Sequence, residues 1–94
     1  MKIPFFVQEF TDEMEEAAIT ALRNESFVGG ESVSKFEEEF AYYTGTKYAV
    51  SVSSGNSALQ ISLMALGISD GSKVITPTNS FIASANCIRM TNAQ

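Results

Sequence analysis

The chain has 94 residues, is 45% hydrophobic and 18% charged, and carries a net charge of -5, the composition of a soluble globular chain with room for one domain at most. It has no histidine and one cysteine, Cys87. That excludes a Ser-His-Asp triad, a Cys-His pair, His-containing zinc sites, an internal disulfide and a Cys-rich metal site. The lone thiol points to a reducing, cytoplasmic compartment. The apolar stretch 3–7 ends at Gln8 and Glu9, far short of the roughly 20 residues that a membrane span needs.

Charge is unevenly placed. Residues 1–39 hold ten of the eleven acids, whereas 40–94 hold only Asp70 against Lys47, Lys73 and Arg89. A net-acidic chain without a basic stripe repels a polyphosphate backbone, so nucleic acid is not an expected partner, while a small anion in the second half is compatible. Thr11 is a plausible N-cap, followed by Asp12, Glu13, Glu15 and Glu16 at the positive end of a helix. Met14, Ala17, Ala18, Ala21 and Leu22 then recur at helical spacing, predicting a helix over about 12–24. Phe27-Val28-Gly29-Gly30 breaks it. A second helix is expected from Ser32 or Ser34, with Ser34-x-x-Glu37 as a capping box and Gly45 as its stop. Its apolar stripe is Val33, Phe36, Phe40 and Tyr43, and the run Glu37–Glu39 reads as a solvated face.

The texture changes after Lys47. Tyr48-Ala49-Val50-Ser51-Val52-Ser53 is β-prone with small residues, suited to a strand covered on both faces. Ser54-Gly55-Asn56-Ser57 turns the chain, and 58–66, apolar on nearly every side, predicts a buried helix ended by Gly67. After the Asp70-Gly71 turn, Lys73-Val74-Ile75-Thr76 predicts a second strand, stopped by Pro77. Thr78 or Asn79 is the expected cap of a last helix over about 80–90. Strand, helix, strand, helix is the pattern of an α/β fold with a mostly parallel sheet and covering helices.

In such a sheet, ligands collect at the carboxyl ends of strands, where the following helix presents free N–H groups and a positive dipole end. The 54–57 turn lies at one such end. Gly55 permits close backbone approach and positive φ, and Asn56 and Ser57 supply N–H groups and short polar side chains. The next strand end places Phe81 at a second junction. A phosphate cradle beside an aromatic platform suits a flat, phosphorylated heterocycle, although Phe81 alone also reads as a core residue and the turn alone as a simple N-cap.

These residues also carry a family resemblance. The segments 36–40, 47–59, 65–68, 74–77 and 81–85, in order and in register, resemble the start of the DegT/DnrJ/EryC1/StrS aminotransferases, over about residues 24–90. The resemblance implies the large domain of an aspartate-aminotransferase-like fold (fold type I), with 1–46 as an N-terminal helical segment and 47–94 as the start of the cofactor-binding α/β domain. It implies pyridoxal 5'-phosphate as cofactor, held at its phosphate by Gly55, Asn56 and Ser57, with Phe81 on the pyridine ring. It further implies a keto-sugar nucleotide as substrate, glutamate as amino donor and a homodimer in the cytoplasm.

Three departures stand out: Asn56 where the family usually has Thr, Ser72-Lys73 where Asp-Glu is usual, and Gly30 where Pro is common. More important, transamination needs a lysine bonded to the cofactor aldehyde and an acid that keeps the pyridine nitrogen protonated. The family has both at positions beyond the equivalent of Gln94. Lys2, Lys35, Lys47 and Lys73 read as surface groups, and Asp70 sits in a turn. No catalytic residue is therefore expected within the 94 residues, which read as the N-terminal piece of an aminotransferase, inactive and prone to self-association alone. The alternative is a stand-alone, non-catalytic module that binds a small phosphate or a protein partner. Serine hydrolysis at Ser54 or Ser57 fails for want of a base, since neither Ser-x-x-Lys nor Gly-x-Ser-x-Gly occurs.

Overall fold

A computed structural model describes residues 3–94; Met1 and Lys2, the latter one of the lysines read as surface groups, lie outside the described residues. The described residues form α1 (Asp12–Asn24), α2 (Glu31–Thr44), α3 (Gly55–Ala65) and α4 (Ala83–Met90). They fall into two compact units that divide between Val50 and Ser51.

In the first unit, α1 starts as its sequence dictates. The Thr11 hydroxyl accepts from the Met14 amide at 3.3 Å, and Asp12, Glu13 and Glu15 occupy the first turn. The capping box expected for α2 does not form. The helix begins earlier, at Glu31, with Gly30 as a cap that offers no side chain. Its first turn is satisfied from outside instead: Glu25 accepts from the Ser32 amide at 2.8 Å and from the Ser32 hydroxyl at 2.6 Å. A carboxylate that reaches back from the preceding turn replaces the Ser34 hydroxyl because the helix start lies too far upstream for Ser34 to cap it. Gly45 ends α2 in the left-handed region at φ 70°. Its amide and that of Thr46 donate to the Tyr42 and Ala41 carbonyls at 3.2 and 3.0 Å, a Schellman pair.

In the second unit, α3 and α4 pack on each other. Cys87, Ile88 and Ala93 form a small buried cluster, with Leu63, Ile68 and Val74 against it. Gly67, at φ 77°, closes α3 with a second Schellman pair: its amide donates to Met64 and that of Ile68 to Leu63, both at 3.0 Å. Leu63 and Ile68 each lie against the cluster. The expectation that α3 is buried is not met within this chain. None of its residues is buried, and Leu59, Ile61 and Met64 are exposed. The last helix also starts later than expected, at Ala83, and neither Thr78 nor Asn79 caps it, since its N-cap is Ile82 with no side-chain bond.

The parallel sheet is not formed among the described residues, where neither 48–53 nor 73–76 is paired into a ladder. A strand exists only where a neighbour lies about 4.8 Å away to take its amides and carbonyls. Residues 48–53 pass from the first unit into the second, and within 73–76 the Val74 amide bonds to Gln94. That one meeting has the parallel pattern. The Gln94 amide donates to the Ser72 carbonyl at 2.9 Å, and the Gln94 carbonyl accepts from the Val74 amide at 2.7 Å. One residue thus bonds to two residues flanking its opposite number, which is how parallel strands pair.

Candidate functional site

The 54–57 turn is built as a helix start. Ser54 is extended, at φ -163° and ψ 158°, and its hydroxyl accepts from the Ser57 amide at 3.1 Å. Its carbonyl takes the Ala58 amide at 3.0 Å. Gly55 and Asn56 are therefore the first residues whose amides have no acceptor inside the helix, and they sit at its positive end. Gly55 does not use positive φ as anticipated; it is an ordinary first helical residue. What its lack of a side chain provides is room, because a Cβ built there has nothing within 4 Å.

The three expected cradle residues are not equivalent. The Ser57 amide is already spent on the Ser54 cap, so Ser57 offers chiefly its hydroxyl, which lies 2.9 Å from the Ser54 and 3.4 Å from the Ser53 hydroxyl. The Asn56 side-chain nitrogen is directed to the Met90 sulfur at 3.7 Å, which ties α3 to α4 and leaves the backbone amide as this residue's contribution. Ser53 and Ser54 join the polar cluster, although the sequence reading placed neither among the cofactor-binding residues. The signal for both was the Ser53-Ser54-Gly55-Asn56-Ser57 run itself, in which a hydroxyl directly before a glycine-led helix is the preferred cap.

Phe81 stands just before α4, where its carbonyl accepts from the Ser84 amide at 3.0 Å. Phe81 is 79% exposed and takes no part in the buried cluster. An apolar groove of about 230 Å³, lined by Leu59, Leu63, Val74, Cys87 and Ile88 among others, is a separate feature. Cys87 is buried there, its thiol donating to the Ser84 carbonyl at 3.3 Å. Lys35, Lys47 and Lys73 are exposed, as expected of surface groups. Among the described residues no group of His, Cys, Asp or Glu could hold a metal ion, and no helix is long and apolar enough to cross a membrane.

A helix start with two amides to donate, a cluster of hydroxyls and an open glycine is a fitting donor set for a phosphate. The family profile of the DegT/DnrJ/EryC1/StrS aminotransferases matches residues 8–94, and the chain belongs to that family. It is 48% identical to the GDP-perosamine synthase of Escherichia coli O157:H7 over 68% of this chain and 18% of that protein. It is 36% identical to the dTDP-3-amino-3,4,6-trideoxy-alpha-D-glucose transaminase of Streptomyces venezuelae, over 98% of this chain and 26% of that one. The crystal structure of an aminotransferase from Psychrobacter cryohalolentis superposes with a TM-score of 0.83 at 33% identity, over 96% of this chain and 24% of its own. The chain thus spans about a quarter or less of the relatives it matches.

Proposed function

We propose that this chain forms the phosphate-holding part of a pyridoxal 5'-phosphate-dependent aminotransferase acting on a keto-sugar nucleotide, with glutamate as amino donor. The observation that carries the reading is the Ser54-capped start of α3 within a segment matched by the family profile from residue 8 to 94. The named activities of the two relatives, a GDP-sugar synthase and a dTDP-sugar transaminase, support the substrate class. We further place 47–94 at the start of the cofactor domain, its sheet completed by pairing of the kind begun at Gln94, and the whole protein in the cytoplasm as a homodimer.

When bound, the cofactor supplies the electron sink through which an amino group can be moved. In this proposal the Gly55 and Asn56 amides and the Ser57 hydroxyl hold its phosphate, while the Ser54 hydroxyl, by engaging the Ser57 amide, fixes the turn that aims them. Gly55 lets the anion approach the backbone, and Phe81 gives an apolar face to the ring. None of these residues moves a proton, and the reacting lysine is proposed to come from elsewhere in the whole protein.

The test compares apparent pyridoxal phosphate affinity of the full-length protein with that of Phe81→Ala, folding being followed alongside. A stacked aromatic contributes on the order of 0.5–1.5 kcal/mol beyond its area, so roughly a two- to tenfold loss is expected. Equal affinity in two equally folded proteins would remove Phe81 from the site.

A further inference from the structure

Glu25 ends one helix and starts the next. Its backbone amide donates to the Ala21 carbonyl at 2.9 Å, closing α1, and its side chain takes both donors of Ser32, closing the front of α2. Gly30 is what makes room for this. A Cβ there would stand 2.6 Å from a Glu25 carboxylate oxygen and 2.9 Å from the Ser26 carbonyl, so the carboxylate lies where most residues would put a side chain. The turn between is held by its own bonds, Ser26 accepting from the Val28 amide at 3.4 Å and donating to its carbonyl at 3.1 Å, with Gly29 at φ 65°.

We propose that the Glu25 carboxylate is an acid-sensitive clasp that fixes the turn from α1 into α2, with Gly30 as the residue that admits it. Protonation turns an acceptor for two donors into a group that must give up part of that role, so the clasp loosens when the carboxyl takes up a proton. The Ser32 hydroxyl, and secondarily its amide, hold the Glu25 carboxyl below the ordinary glutamate value of 4.5, and partial desolvation opposes them. No charged residue of the flanking helices, Arg23 on α1 and Glu31 and Lys35 on α2 included, is among the causes of that lowering. A carboxylate depressed in the folded state stabilises above its unfolded value and loses this contribution as the pH falls through the folded one.

The experiment is a pH titration of the full-length protein by NMR, following the Glu25 carboxyl carbon and the Ser32 amide together. Both signals should share one midpoint, below that of an ordinary glutamate, and Ser32→Ala should move the carboxyl midpoint upward. Glu25→Gln should speed exchange of the Ser32 amide several-fold at neutral pH and remove the Glu25 midpoint from the pH dependence of the Ser32 amide chemical shift. A Ser32 amide that ignores the Glu25 titration, or identical exchange in wild type and Glu25→Gln, overturns the clasp. Because the wild-type titration needs no substitution, it decides the matter even if a variant fails to fold.

Discussion

The two units are built by the same local rules and differ in what packs on them. In the first, α1 has no buried residue and α2 has only Ala41. Phe36, Phe40 and Tyr43 of the expected stripe are all exposed. In the second, Cys87 and Ile88 on α4, with Ala93, are at most 7% exposed and draw Leu63, Ile68 and Val74 onto them. Both units nevertheless finish their helix ends with care, by Thr11, Glu25 and Gly45 in one and by Ser54 and Gly67 in the other. Caps and turns need only a few consecutive residues, whereas burial needs partners remote in sequence. Most helix ends are thus closed locally where packing is not, the start of α4 at Ile82 being the exception.

The strongest way to break this contrast is Ile88→Ala. Large-to-small changes in a core cost about 2–5 kcal/mol, and a cluster this small has little else to hold it. Hydrogen exchange on the 94-residue chain should find its slowest amides in 51–94, and the substitution should abolish that difference between the units. Equal protection in both units of the unsubstituted chain would show that the second has no advantage from its core.

The pair Gly45→Ala and Gly67→Ala sharpens the contrast from the other side. Both glycines have positive φ, and a Cβ at either meets nothing within 4 Å. The cost is then almost wholly the backbone penalty of the left-handed region, about 1 kcal/mol each. Denaturant unfolding of the full-length protein should give matching losses. A much larger loss at Gly67 would mean that the Schellman turn also sets the Leu63–Ile68 packing.

What the sequence made legible follows the same division. The span of α1 was readable because Thr11, four acids and a 3.6-residue period agree. The stop at Gly45 and the Asp70-Gly71 turn were readable because each rests on a residue that tolerates positive φ. The cap of α2 was not: Glu25 acts on Ser32 from seven residues away, and the motif at Ser34-x-x-Glu37 was a better local match than the bond that forms. Burial of α3 was inferred from its apolar residues, but composition says only that such a helix needs cover, and the cover is absent among the described residues. At the proposed site, the turn was legible as a helix start. The division of labour within it, with the Ser57 amide spent on Ser54 and the Asn56 side chain turned to Met90, depends on side-chain geometry that no pattern encodes.

The smallest expected effect lies on α2. Phe36 and Phe40 are one helical turn apart, with ring centroids 5.7 Å apart and planes tilted by 39°. Such a pair at i and i+4 stabilises a helix by about 0.2–0.5 kcal/mol. In the isolated 94-residue chain both rings are exposed, so Phe36→Ala should remove little more than this pair term and the helix propensity difference. Alanine is the better helix former, and that difference acts in the opposite direction. Helical content measured by circular dichroism should therefore change barely at all. In the full-length protein the same substitution should cost several times more if these rings are covered there, since burying a phenylalanine is worth about 1.5–3 kcal/mol. The stability lost in the full-length protein then measures how much cover the α2 stripe receives there; an equally small loss in both would mean that the stripe stays bare in the whole protein.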